Sequence, residues 1–415
     1  MKIRSITYFD TLGWPIDDLQ VRHAGEFIKI ARNMFQELEF EVQTTRLATA
    51  PFPLILGEGN LRETVDFAVS LEEEILTSGF DYASIGPAIP GIIESYQVIP
   101  QVLANTQNIF SAGIISSAEL GIVPRALKQC AKVIKENSHI SPDGFGNLRF
   151  AALANVPAGS PFLPAAYHEI GSKPGFAIAV EAADLAVSAF DKGADLETAR
   201  VELITSIERI ARELDKIGQK LAVDYNLHFK GIDFSLAPFP TAAQSIGTAV
   251  ENLGVPGVGY HGSLAAIALL AEALDRAQFP KVGFNGVMLP VLEDTVLAGS
   301  AAAGILSVND LLLYSAVCGT GLDTMPLPGS TCEDQLYAVL LDLAVLAQRL
   351  AKPLTARLMP IPGKEAGEAT AFDFEFFANS KVMQINAQPL SGYLVDDTEF
   401  QIQSRDPSGT SKGRE

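Results

Sequence analysis

Two hydrophobic periods alternate along this chain, and that alternation constrains its fold more than any other feature. Residues 3–9, 40–47, 80–86, 109–115 and 148–153 read as strands. Phe27, Ile30, Ala31, Met34 and Leu38 instead recur at the spacing of one helix face. Asn60, with Glu63 three residues on, predicts a capped helix reaching about residue 77. The longest helical pattern runs through Val201, Ile204, Ile207, Ile210, Leu214, Ile217 and Leu221, with charges on the other faces. Further helices are predicted at 241–253, 262–277, 294–304, 308–317 and 333–350, and strands at 231–235, 282–287, 355–360 and 381–386. Such alternation implies parallel strands joined by helical crossovers, an α/β fold. No repeat or Ser/Gly linker divides residues 1–395, which read as one domain. Residues 396–415 are polar and read as a disordered tail.

Charge and cysteine usage narrow the setting. A net charge of −19 with scattered Lys and Arg disfavours nucleic acid and anionic membrane surfaces as partners. A few placed cations can still hold a small anion at short range. The three cysteines are unpaired by spacing, which fits a reducing compartment. The amino-terminal residues alternate like a strand rather than a signal peptide, and every apolar run is interrupted before it could span a bilayer. A cytoplasmic location is the expectation. The high apolar content also suggests a homodimer or larger homo-oligomer.

Ligands of parallel α/β proteins sit at the carboxyl ends of strands, so the segments that follow strands are the candidates. After 148–153 comes a loop with three prolines, Asn155 to Pro164, ending near His168. It either positions that histidine or is structural. Asp233 and Ser235 share a face at a strand end, suited to a metal or substrate, or to bracing the loop. Gly257-Val258-Gly259-Tyr260-His261-Gly262-Ser263 precedes a helix and suits an anion at its N-terminus, with His261 as an acid/base candidate. Neither a dinucleotide fingerprint nor a P-loop is present. Glu293 and Asp294 are paired acids that hold a metal or complement a helix dipole. Cys318, in Cys318-Gly319-Thr320-Gly321-Leu322-Asp323, is a candidate nucleophile or a small buried hydrophobe, and Asp323 a candidate ligand contact. Arg357 and Lys364 bracket a Pro/Gly turn and are the best candidates for holding a carboxylate or phosphate. The histidines are dispersed, without a zinc-type spacing or a Gly-x-Ser-x-Gly elbow.

Taken together, these segments resemble domain-of-unknown-function family seven-hundred-and-eleven. They are the amino-terminal Lys2-Ile3-Arg4-Ser5-Ile6-Thr7, Pro164-Ala165-Ala166-Tyr167-His168, Gly231 to Pro238, Gly259 to Ala266, Pro290 to Asp294, Cys318 to Asp323 and Arg357 to Lys364. The resemblance implies a β/α barrel of about ten strands, similar to the pyruvate formate-lyase fold, with helices outside. It does not imply glycyl radical chemistry: no Arg-Val-x-Gly-aromatic loop is present, Gly392 lying in Leu390-Ser391-Gly392-Tyr393. No radical cofactor is therefore expected. The chain departs from that family where a Gly-Gly-Leu-Leu-Gly stretch gives way to Asp373-Phe374-Glu375-Phe376-Phe377-Ala378. Aromatics in place of glycines are expected to reshape one wall of the cavity.

Two functions fit these residues. One is an enzyme acting on a small anionic metabolite in a barrel-mouth cavity. Arg357 and Lys364 would bind the anion, His168 or His261 would move protons, and Asp233 with Glu293 or Asp294 would hold a divalent metal if one is used. The alternative is a non-catalytic small-molecule-binding or regulatory protein linked to amino-acid metabolism. It predicts an anion pocket with no histidine in reach of the ligand.

Overall fold

The structure, a computed structural model, describes residues 1–191, 193 and 195–404. Ten strands form one sheet, surrounded by helices. They are β1 (Lys2–Asp10), β2 (Val42–Thr49), β3 (Tyr82–Ala88), β4 (Ile109–Ser117), β5 (Gly121–Ile122), β6 (Phe150–Ala154), β7 (Gly175–Glu181), β8 (His228–Asp233), β9 (Gly321–Pro328) and β10 (Leu354–Ile361). The spatial order is β8-β7-β1-β2-β3-β4-β6-β10-β9, with the short β5 paired to β4.

Strand direction divides the sheet in two. β1, β2, β3, β4 and β6 are mutually parallel. β7 and β8 form one parallel pair, β9 and β10 another. β7 runs antiparallel to β1, and β10 antiparallel to β6. Continuous pairing stops at β8 and β9, so the sheet is not closed by a ladder. Residues 281–290 lie between those two ends, parallel to both, through the bridges Ile232↔Lys281, Leu236↔Val287 and Pro290↔Asp323. Either end of the sheet thus gathers the amino ends of one half and the carboxyl ends of the other.

The two faces of the sheet are filled differently. Outward residues pack on helices: Tyr8 of β1 meets Phe27 of helix Asp18–Gln36 at 5.7 Å between ring centroids. That helix forms because Val21, Ala24, Phe27, Ile28, Ala31 and Phe35 fall on one buried face, and Asp17 caps its first turn by accepting from the Leu19 N–H. The predicted long helix is Leu196–Asp224, capped by Asp195. The other face is filled by the loop that follows β6. Its Phe162 and Ala165 pack with Ala112, Leu153, Phe284 and Met288, and its Leu163 and Ala166 with Phe9, Ala48, Phe110 and Ala177. The Pro-rich segment is therefore an interior filling, fixed in place as the Thr7 hydroxyl donates to the Pro161 carbonyl at 3.3 Å.

The structure changes several expectations. β5, β7 and β9 are additional strands, and residues 282–287 and 381–386 form no strand beyond isolated bridges. Part of the expected tail is engaged: Phe400 pairs antiparallel with Ile122, and Lys128 Nζ donates to Asp397 at 2.7 Å. The rest of that tail, residues 405–415, lies outside the described residues. Among the described residues no helix is long and apolar enough to cross a membrane.

Candidate functional site

A cavity of about 870 Å³, counting its open mouth, lies at one end of the sheet. It takes Arg4, Thr44, Tyr82 and Phe110 from the beginnings of β1 to β4, Arg46 from the middle of β2, and Arg149 from just before β6. From the opposite half come Glu181 at the end of β7, Phe239 beyond β8, Glu293, and Arg357 of β10.

A buried ionic chain crosses it. Glu293 Oε2 accepts from Arg4 at 2.6 Å and Oε1 from Arg357 at 2.7 Å. Arg357 Nε donates to Asp323 Oδ1 at 2.6 Å. Burial alone would raise the Glu293 carboxyl, but Arg4 and Arg357 outweigh it and hold the group below its ordinary range. Burial raises Asp323, whose second oxygen has no hydrogen-bond partner. The Arg357 guanidinium also lies 5.6 Å from the centre of the Phe162 ring, a cation–π contact with the interior loop.

Two further buried arginines, Arg149 just before β6 and Arg46 within β2, have opposite fates. Arg149 donates to the carbonyls of Thr106, Ile109 and Leu103 and so ties the end of helix Ile99–Asn105 and the start of β4 to the start of β6. Arg46 uses only Nε, donating to Thr44 Oγ1 at 3.0 Å. Among the described residues no carboxylate lies within ion-pair distance of it. Burial and the Arg4 charge lower its pKa to about 9. Among the described residues Arg46 thus has the fewest hydrogen bonds of the cavity arginines, and an anion beside it would relieve that cost.

Glu181 is the other unmatched group. It is buried, and among the described residues nothing donates to its Oε1. Burial pushes its carboxyl up to about 7 although Arg4 and Lys2 pull the other way. At neutral pH it is present both as acid and as base, the condition under which a carboxyl transfers protons in either direction.

Aromatic rings complete the walls. Phe374 and Phe376, from the segment that departs from the family pattern, both line the cavity. Phe374 packs on Phe145 at 5.1 Å and on Phe376 at 5.1 Å, and Phe376 on Phe239 at 6.0 Å. Phe145 precedes β6 and Phe239 follows β8, so this row of rings crosses the mouth from one half of the sheet to the other.

Of the sequence candidates, the structure brings Arg357, Asp323 and Glu293 together and leaves the others elsewhere. Asp294 points away from Glu293. Its oxygens accept from the backbone N–H groups of Val296, Leu297, Ile246 and Gly247 and from Ser245 Oγ, so it caps helices. Asp233 is saturated too, accepting from Ser235 Oγ and from the N–H groups of Phe284 and Asn285. With Ser235 it braces segment 281–290 against β8. Asp233, Glu293 and Asp294 therefore do not converge as a ligand set, and among the described residues no three such side chains do. His168 is buried away from the cavity. Its Nε2 faces the Ser172 carbonyl at 3.2 Å, and burial lowers its pKa. His261 is exposed, outside the cavity. Lys364 donates to the Ala369 carbonyl and does not reach the cavity. Cys318 is buried in the core, its carbonyl accepting from Lys352 Nζ. The glycine beside it is required by packing, since a Cβ on Gly319 would come within 2.5 Å of the Gly286 Cα.

Arg4, Arg46 and Glu181 were outside the sequence candidates. Their signal was available as charged residues inside strands that are otherwise apolar or small.

This fold and cavity accompany a family assignment. The profile of the family described as Uncharacterised ACR (DUF711) matches residues 1–380, and the chain belongs to that family. A UPF0210 protein of Acetivibrio thermocellus is 28% identical over 372 residues, covering 85% of this chain and 81% of that protein. A UPF0210 protein of Halothermothrix orenii is 28% identical over 401 residues, covering 91% and 87%. One from Pyrobaculum arsenaticum is 29% identical over 375 residues, covering 86% and 82%.

Proposed function

We propose that this chain is an enzyme acting on a small anionic metabolite bound in the barrel-mouth cavity. Arg46 anchors the anion and Glu181 moves a proton. The observation that carries this reading is a buried arginine without an acidic partner, in the same cavity as a buried carboxyl without a donor. Removing either mismatch requires a group the protein does not supply. A carboxylate or phosphate on Arg46 supplies one, through the paired donors of the guanidinium. An ionisable proton on the substrate supplies the other. The ionic chain of Arg4, Glu293, Arg357 and Asp323 keeps the remaining walls rigid and close to neutral.

A thermal-shift screen of small carboxylates and phosphates tests the anchor. A ligand at one hundred times its Kd adds about 2.7 kcal/mol of stability. Arg46→Met is expected to abolish the shift, and an unchanged shift in that variant overturns the assignment. The binding-only reading draws on the lack of any histidine along the cavity wall. Glu181→Gln separates the two. Retained binding with lost solvent-proton exchange into the bound ligand supports the enzyme, and exchange unaffected by the substitution removes Glu181 from the chemistry.

A further inference from the structure

We infer that the ligand of this cavity is a monocarboxylate carried on a planar aromatic ring, with its carboxylate on Arg46 and its ring among the Phe374 and Phe376 side chains. The inference rests on the anion reading above and adds the ligand's charge and shape.

Charge comes first. Arg4 and Arg357 are tied to Glu293 and Asp323, and Arg149 to backbone carbonyls. Among the described residues Arg46 is the one lining arginine whose terminal nitrogens bond neither a carboxylate nor a backbone carbonyl, so the cavity offers one open position for a negative charge. A second charge on the ligand would meet only guanidinium groups whose hydrogen bonds are already committed. The guanidinium plane also suits a flat carboxylate through two parallel hydrogen bonds.

Shape follows from the rings. Tyr82 and Phe110 form an edge-to-face pair at 5.4 Å, and Phe145, Phe374, Phe376 and Phe239 form a row of such pairs across the mouth. All six line the one cavity that holds Arg46. Edge-to-face and offset packing reward a further flat ring more than a saturated body of the same area. The row is held rather than loosely draped. The Ala378 N–H donates to the Leu292 carbonyl at 2.6 Å and Ser380 Oγ to the Ala298 carbonyl at 2.7 Å. Asn379 Oδ1 accepts from Thr370 Oγ1 and the Phe372 N–H, closing the segment on itself.

Calorimetric titration of the full chain with phenylacetate, cyclohexylacetate, acetate and inorganic phosphate tests this. Phenylacetate is expected to bind at least tenfold more tightly than acetate or phosphate, and at least threefold more tightly than cyclohexylacetate. Phe374→Leu with Phe376→Leu should bring phenylacetate within about threefold of acetate while leaving acetate affinity unchanged. Should that double variant not fold, the half-buried Phe376→Leu alone gives the same test with a smaller loss. Phenylacetate no tighter than acetate, with acetate or phosphate binding still lost in Arg46→Met, overturns this inference and leaves the anion reading standing. Equal binding of phenylacetate and cyclohexylacetate overturns the planar ring. No Arg46-dependent binding of any of the four overturns both readings.

Discussion

Asp233, the last residue of β8, and Glu293, just after segment 281–290, are both buried carboxylates, yet they do different work. Asp233 is surrounded by its own backbone: two N–H groups and a neighbouring hydroxyl use up its oxygens. Glu293 is met by two guanidinium groups reaching from opposite halves, and it faces open space. The first arrangement fixes segment 281–290 and leaves nothing to offer a ligand. The second keeps charge at a cavity wall. Burial and a carboxyl group are common to both, so neither marks a site. Charged partners gathered at an open cavity do.

The largest expected effect separates the two carboxylates on stability. Glu293→Ala leaves Arg4 and Arg357 buried without their shared partner and should cost roughly 3–5 kcal/mol in urea unfolding. A loss below about 1 kcal/mol would mean that solvent in the cavity already compensates both arginines.

Glu181 sharpens the comparison through pH. Its carboxyl lies at about 7 in the folded chain against an ordinary 4.5. The folded state holds that proton more tightly. The resulting stability is complete below pH 4.5 and is lost as pH rises through 7, by up to about 3 kcal/mol. Urea unfolding at pH 5 and pH 8.5 should show this loss in the wild type and its removal in Glu181→Gln. Parallel pH curves for the two proteins would place the carboxyl in an ordinary environment.

The smallest effect belongs to the Asp233 knot. Ser235→Ala removes one hydrogen bond within it and should cost about 1 kcal/mol, with ligand affinity in the cavity unchanged. A change in affinity would show that segment 281–290 transmits its position to Glu293.

Much of the fold was legible because strand and helix periods differ, as in residues 3–9 and in the Val201 to Leu221 stripe. Three strands escaped, β5 because two residues show no period, and two others for separate physical reasons. Gly175–Glu181 is a continuous run of small and apolar residues, which a buried helix would share. Gly321–Pro328 contains Pro326 and Pro328, which argue against a central strand. They are tolerated because its outer side meets only the isolated bridge at Pro290. Site residues were sought after strands, and Arg357, Glu293 and Asp323 were found that way. Arg4 was not, because the first half of the sheet presents the beginnings of its strands to the same cavity, and Arg46 was not, because it lies within β2 rather than after it. Glu181 was lost with its strand. The departure at residues 373–378 was legible, and its rings do form a wall.

The loop that fills the concave side of the sheet has a consequence for what can be accommodated. With Phe162 and Leu163 packed against residues from both halves, the inner face of the sheet is filled, and the cavity is bounded there by Leu163. Substrate and product would share one doorway. A homologous series of acids lengthened one methylene at a time should therefore gain affinity steadily and then stop abruptly, as the chain end meets Leu163.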